Sequence, residues 1–280
     1  MPSETALQDS DLKLGKGEAM KKKMTRIVAI ANEKGGVGKT VTAINLAAGL
    51  SLKGLTVLVV DMDPQANSTR GLGFGMDDIK ASAYDLMCHP DETEADQVVV
   101  NTRWQKLDLL PSHVDLAGAE IELIEVAGRE NRLKQALEPI LSTYDVIILD
   151  TPPSLSLLTV NVFSAAREVI VPCQTHPYAF DALSELLDTI EAVQREINPE
   201  LKIGGFLATM FDQRTRVSHN TLKKLRDDPR TGKLLFKSVI RANTTIADSA
   251  EVGKPVVFYR TTSYGALDYK AFANEFIQKN

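Results

Sequence analysis

Residues 26–40 read Arg26-Ile27-Val28-Ala29-Ile30-Ala31-Asn32-Glu33-Lys34-Gly35-Gly36-Val37-Gly38-Lys39-Thr40. A β-branched run (Ile27, Val28, Ile30) leads into a glycine-rich turn, and Lys39 and Thr40 then open a helical pattern. Strand, glycine turn and helix in that order build a cradle for phosphate. Gly35, Gly36 and Gly38 let successive backbone N–H groups, those of Val37 and Val41 included, converge on an anion. The positive end of the helix faces the same point. Lys39 is placed to neutralise the β- and γ-phosphates of a nucleotide, and the Thr40 hydroxyl to ligate Mg²⁺. The usual spacing G-x-x-x-x-G-K-S/T asks for glycine at position 33. Glu33 stands there instead, and a second lysine, Lys34, opens the turn.

Working outward, Ile44, Leu46, Ala47, Leu50 and Leu52 keep an apolar face along a helix predicted over about 39–53, which Gly54 ends. Thr56 to Val60 is a continuous apolar strand of the kind buried on both faces of a parallel sheet. It finishes in Asp61-Met62-Asp63-Pro64-Gln65. Carboxylates at the carboxyl end of a central strand sit where doubly wound sheets bind ligands. Beside a phosphate cradle they can hold Mg²⁺ through water or orient an attacking water. Asp145 to Asp150 is a second apolar strand ending in aspartate, followed by Thr151-Pro152-Pro153. This is the Walker B arrangement, with Asp150 holding the metal opposite Thr40.

The pattern predicts an α/β fold: a doubly wound, mostly parallel sheet flanked by helices, as a single domain over 25–280. Residues 1–24 read as a disordered tail, with a basic tether as the alternative. Between 66 and 143, Gly71, Gly73 and Gly75 suggest a mobile connection responsive to nucleotide. A short strand at Leu107–Leu110 stops at Pro111, and helical patterns follow at about 114–127 and from about 130 to Pro139. Val169–Pro172 reads as a strand, about 179–195 as an amphipathic helix, and Ile203–Met210 as a strand. Met210 and Asp212, at its end, are assigned to nucleotide binding. A last helix over about 266–278 presents Tyr269, Phe272, Phe276 and Ile277 to the sheet.

Charge narrows the function classes. The chain has 280 residues, 32 basic against 37 acidic, for a net −5, so any DNA contact needs a local patch. Residues 214–241 supply one: nine bases, among them Arg214, Arg216, Lys223, Lys224 and Arg241, face only Asp227 and Asp228. Such a segment attracts phosphate backbones without reading sequence. Bases at 223, 224 and 226 are not expected to share one helix face. Cys88 and Cys173 are the only cysteines, which excludes a disulfide scaffold and gives no support to a metal cluster. No apolar run reaches the ~18–20 residues that span a bilayer. The expectation is a cytoplasmic protein.

With Lys34-Gly35-Gly36-Val37-Gly38-Lys39-Thr40, Asp61-Met62-Asp63-Pro64-Gln65 and Asp150-Thr151-Pro152-Pro153 together, the chain resembles the ParA/Soj family of partition ATPases, with their deviant Walker A loop. The resemblance runs from about 25 to 278 and includes Asn32, Leu110-Pro111-Ser112 and Gly253-Lys254-Pro255-Val256. It implies that Lys39 binds phosphate, Thr40 and Asp150 serve Mg²⁺ with Asp61 as helper, and Asp63 activates or positions water. Lys34 resembles the signature lysine that reaches the other subunit's ATP in a sandwich dimer. The resemblance further implies an ATP-dependent homodimer that binds DNA nonspecifically. Slow ATP hydrolysis is stimulated by a ParB-like or other partner protein to segregate or position DNA or another large cargo, and the protein is expected to associate with the nucleoid.

Two departures qualify this. Val41 stands where family members often have Thr, and Arg241-Ala242-Asn243-Thr244-Thr245 replaces a frequent Pro-Arg-Asn-x-Arg. The alternative is a MinD-like membrane-surface switch. It needs a basic amphipathic C-terminal helix, whereas Lys270 and Lys279 are offset by Asp268 and Glu275, so no stable membrane association is expected.

Overall fold

The computed structural model describes residues 24–177 and 181–279. The expected N-terminal tail therefore lies, but for Met24, outside the described residues. In chain order the strands are β1 (Arg26–Ile30), β2 (Val57–Asp61), β3 (Val100–Asn101), β4 (Leu107–Leu110), β5 (Val146–Asp150), β6 (Glu168–Gln174), β7 (Lys202–Phe211) and β8 (Leu235–Arg241). The helices begin with α1 (Lys39–Ser51), α2 (Asn67–Gly71), α3 (Ala83–Cys88), α4 (Ala95–Val98), α5 (Leu116–Glu122) and α6 (Arg132–Leu137). They continue with α7 (Leu157–Ala165), α8 (Asp181–Glu196), α9 (Arg216–Asp227), α10 (Thr244–Glu251), α11 (Val256–Tyr259) and α12 (Tyr264–Gln278).

The strands form one eight-stranded sheet in the order β3-β4-β2-β5-β1-β6-β7-β8, parallel except for β3 against β4. The central strands are buried along their whole length, β2 and β5 at every residue, because helices cover both faces. On one face α1 and α12 pack through Leu46, Leu50, Tyr269 and Phe272 onto Val28, Val59 and Ile148. On the other, α3, α5, α6, α7 and α8 close over Ala29, Leu58, Ile147 and Val171. Each Val, Leu or Ile so buried contributes about 1.5–3 kcal/mol.

Some local expectations need correction. The helices expected over about 114–127 and from about 130 to 139 are shorter, α5 and α6, with 3₁₀ turns on either side of α6, and the left-handed Gly128 (φ +72°) falls in the expected gap between them. The glycines at 71 and 73 are packing residues rather than a free connection. A Cβ on Gly71 would collide with the Ile44 side chain, and one on Gly253 would meet Gly73 at 2.8 Å, so the α2 turn is locked against the segment before α11. That close approach also explains Gly253-Lys254-Pro255-Val256: the Val256 N–H donates to Asn45 Oδ1 of α1 at 2.7 Å.

Candidate active site

Parallel pairing sets Ile30, Asp150 and Asp61 side by side at the carboxyl ends of β1, β5 and β2. Three loops therefore leave the sheet at one level, where the strand order reverses on either side of β1. The glycine loop is shaped by its neighbours. Asn32 Nδ2 donates to the Pro172 carbonyl (2.8 Å) and its Oδ1 accepts from the Lys34 N–H (3.0 Å). Thr209 Oγ1 donates to the Val37 carbonyl (2.8 Å), tying the loop to β7. Gly36 and Gly38 take φ of +75° and +91°, which leaves side chains strained there. A Cβ at Gly35, Gly36 or Gly38 would meet nothing within 4 Å. The loop thus presents open space lined by backbone, the cradle an anion requires.

Gly35, Gly36, Gly38, Lys39, Thr40, Val41, Asp63 and Met210 share one cleft of about 680 Å³, within the range of small-molecule sites. Val37 is buried under it. Met210 lines the cleft from a left-handed φ of +52°, uncommon for a side-chain-bearing residue. Asp212 does not line it. Its carboxylate takes Arg214 Nε at 3.0 Å and Nη2 at 2.9 Å, and this fork holds its pKa down to about 2. Asp212 and Arg214, expected at nucleotide and DNA, are engaged with each other.

The aspartates differ in what they can offer. Asp61 is wholly buried, with Oδ2 accepting from the N–H and hydroxyl of Thr69 (2.8 Å each) and Oδ1 from the Asp63 N–H (3.2 Å). Burial still raises it to about 6. Both its oxygens hold the loop that carries Asp63, so direct ligation of a metal is not what this geometry supplies. Asp63 receives the Gln65 N–H at 2.9 Å and faces the cleft. Asp150 takes the Ser68 hydroxyl on Oδ2 at 2.8 Å, while its buried Oδ1 has no hydrogen-bond partner. Burial, then the nearby Asp61, push its pKa up to about 8. The Thr40 and Ser68 hydroxyls pull it back, and of these only Ser68 makes a well-formed bond.

An orphaned carboxylate oxygen beside a threonine hydroxyl fits a divalent cation. Among the described residues no group of three or more His, Cys, Asp or Glu could cage a metal. Mg²⁺, which keeps waters and takes one or two protein oxygens plus phosphate, is the ion this set suits. Lys39 Nζ donates to the Lys34 carbonyl at 3.3 Å; burial lowers its pKa, and Asp150 and Asp63 counter that. A phosphate would bring it the partner that burial demands.

Lys34 lies half-buried at the loop's start, outside the cleft lining, and its ammonium meets no carboxylate among the described residues. Beside it, the Glu33 Oε1 is buried without a partner, and Glu185 and Asp188 of α8 approach. Burial first and then these acids raise Glu33 to about 7.

Of the other basic positions, Arg241 is fully engaged: Nη2 and Nε grip Asp268 at 2.6 and 2.9 Å, and the guanidinium lies 4.1 Å over the Tyr264 ring. On α9 the buried residues Ser218, Thr221, Leu222 and Leu225 define a narrow inner stripe. Arg216, Lys223, Lys224 and Arg226 all fall on the outward half, although not on one line. Sequence reading missed Ser68, Thr69 and Arg70, which support or line the site. Their signal was the run Asn67-Ser68-Thr69 closely following Asp63, which reads from sequence as simple cap chemistry.

The family model for the AAA domain matches residues 25–203. The sporulation initiation inhibitor protein Soj of Bacillus subtilis is 42% identical over 252 residues, covering 90% of this chain and 98% of that one. The chromosome partitioning protein ParA of Myxococcus xanthus is 39% identical over 269 residues, covering 96% and 94%. Among solved structures, one titled cobyrinic acid a,c-diamide synthase from Mycobacterium smegmatis with bound ATP analogue and magnesium superposes with a TM-score of 0.79. It is 36% identical, covering 91% of this chain and 95% of that one.

Proposed function

The chain belongs to the ParA/Soj family of partition ATPases, and from that premise we propose that it is an ATP-driven dimerisation switch acting on DNA. Mg-ATP occupies the cleft, its phosphates on the loop N–H groups of 35–41 and on Lys39. Thr40 and Asp150 Oδ1 would hold the Mg²⁺, which supplies charge neutralisation of the phosphates. Asp63, fixed by the Asp61–Thr69 clamp, orients the attacking water. Lys34 extends to the nucleotide of a second copy, so that two cleft-bearing faces close on two ATP molecules. The dimer binds DNA without sequence preference through the outward bases of α9. A ParB-like or other partner accelerates slow hydrolysis and releases it, moving DNA or another large cargo.

The observation that carries the reading is Lys34, which opens the glycine loop, lies outside the cleft lining and has no acidic partner among the described residues, so it is free to serve a site other than its own. A MinD-like membrane switch is less well supported, because α12 buries Tyr269, Phe272 and Phe276 in the core. The mycobacterial structure carries the name of a synthase; a synthase of that kind would turn over ATP indifferently to DNA.

The test compares Lys34→Ala with wild type. The variant should bind a fluorescent ATP analogue within about twofold of wild type, an uninvolved surface change being worth about 0.5 kcal/mol or less. It should lose ATP-dependent dimerisation by light scattering, ATP-dependent retention on plasmid DNA, and DNA-responsive hydrolysis. Normal hydrolysis by Lys34→Ala would sink the sandwich reading.

A further inference from the structure

Helix α5 carries two apolar stripes, and the fold uses one of them. Leu116, Ala119 and Leu123 are buried, and Val126 packs beside them on the core. Backbone bonds from Ala117 N to Val114 O and from Ile124 N to Ile121 O extend the winding past both ends of the helix. At about 100° per residue, Val114, Ala117, Ile121 and Ile124 fall on the opposite side, spaced by three, four and three. Val114 is 61% exposed, Ile121 76% and Ile124 58%. A surface helix ordinarily turns polar residues to water there. β-Branched side chains at this spacing match the i, i+3, i+7 anchors of helix-on-helix recognition.

Charge specifies what lands on it. Residues 107–128 hold Asp108, Asp115, Glu120, Glu122 and Glu125 and no lysine or arginine. On the helical projection Asp115, Glu122 and Glu125 border the exposed stripe on one side and Glu120 on the other. Asp115 pairs with His113, and Glu122 accepts from the Tyr84 hydroxyl and interacts with Cys88, while no lysine or arginine forms an ion pair with these margins among the described residues. A second copy of the same face would set acid against acid.

We infer that the outer face of α5 is the docking surface for a basic amphipathic helix of a partner protein. Apolar side chains spaced by three and four seat on Ile121 and Ile124, and flanking lysines or arginines meet the acidic margins. The surface adjoins the catalytic carboxylates by bonded contacts. Just before α5, the Ser112 N–H donates to Thr69 Oγ1 at 3.0 Å, and that hydroxyl donates to Asp61, whose other oxygen holds the Asp63 N–H. The inference deepens the partner half of the proposed function and rests on that reading for its consequence, not for the docking itself.

The probe is a fluorescein-labelled peptide of about 18 residues, or five helical turns, made of leucine and lysine with leucines at heptad a and d positions. A peptide of identical composition with the heptad pattern scrambled, and one with glutamate for lysine, serve as controls. Fluorescence anisotropy should show the patterned lysine peptide binding the full chain and neither control binding comparably. The Ile121→Asp/Ile124→Asp double variant should weaken binding about tenfold or more, and Glu120→Lys/Glu125→Lys should do likewise. Ile121, Ile124 and Glu125 are exposed and Glu120 is half-buried on the helix surface, so circular dichroism should be unchanged. Affinity for a fluorescent ATP analogue, read on the same samples, tests the nucleotide reading separately. Equal binding by wild type and double variant, or by patterned and scrambled peptides, overturns the inference. So does a nucleotide-free dimer of wild type that the double variant loses, since that would make the stripe a self-association face.

Discussion

Glu33 occupies the place where an ordinary phosphate loop has its first glycine, and the structure gives it a poor environment. One oxygen is buried without a donor while Glu185 and Asp188 approach from α8. Protonation relieves both problems, because a neutral carboxyl can donate to Glu185 and no longer repels it. The folded chain therefore keeps this proton to about pH 7, whereas the ordinary carboxyl loses it near 4.5. Since the folded state binds more protons in that window, the contribution to stability is present below pH 4.5 and is lost as pH rises through 7. Asp61 and Asp150 are shifted the same way, so a melting curve of wild type alone mixes three groups. The difference between Glu33→Gln and wild type isolates one. By calorimetry without nucleotide, the two proteins should melt together near pH 4.5, and the variant should gain progressively up to pH 7 and then hold its lead. The gain should stay under about 1 kcal/mol at this partly exposed position. A difference that does not vary with pH would assign the shifted titration to another group.

At the scale of elements, Arg241 and α9 share a basic segment but have separate work. Arg241 ends β8 by gripping Asp268 of α12, which joins the last strand to the last helix. Arg241→Ala should cost about 1–3 kcal/mol in urea denaturation, because it leaves the largely buried Asp268 carboxylate short of its strongest donors. Lys223→Ala/Lys224→Ala should leave the midpoint unchanged and weaken DNA retention instead; the converse pattern would exchange the two roles. The same contrast explains how much was legible in the sequence. β1, β2 and β5 were plain because strands covered on both faces must be apolar throughout, and α1 because its glycine loop announces it. α7 escaped notice because Leu157–Ala165 is buried on most sides, with Thr159, Asn161 and Ser164 buried among its apolar residues, and so shows no helical period. α9 was masked because half of its inner stripe, Ser218 and Thr221, is polar. Lys39, Asp61, Asp63 and Asp150, which the structure gathers in and beneath the cleft, could be read from motif spacing, whereas Lys34 falls outside the cleft lining. Ser68 and the Gly73–Gly253 contact could not, since each acquires its role from a residue distant in the chain, and Thr69, though close to Asp61 in sequence, reads only as cap chemistry.

Across the whole molecule, charge is sorted by the sheet. The base-free stretch 107–128 leaves the sheet from β4, next to one edge, while the segment 214–241 forms α9 and β8 at the other. A net charge of −5 thus conceals a chain with an acidic end and a basic end. Intramolecular pairing then thins the basic end. Arg214, Arg230 and Arg241 are held by Asp212, Asp228 and Asp268. Arg216, Lys223, Lys224, Arg226, Lys233 and Lys237 have no carboxylate partner among the described residues. Only unpaired bases release counterions when they meet phosphate, at about 0.9 units of salt-dependence slope per contact. In the proposed ATP-bound dimer each contact would count twice, so removing both Lys223 and Lys224 should flatten the plot of log affinity against log salt by up to about 4 units. Arg214→Ala should change it far less, since that guanidinium is already neutralised. Glu120→Gln, at the acidic end, should leave it unaltered. DNA retention titrated from 50 to 200 mM salt on the four proteins reads all three expectations. A slope insensitive to Lys223 and Lys224 would mean that DNA lies on another face, and that the basic edge of the sheet is only a solvated surface.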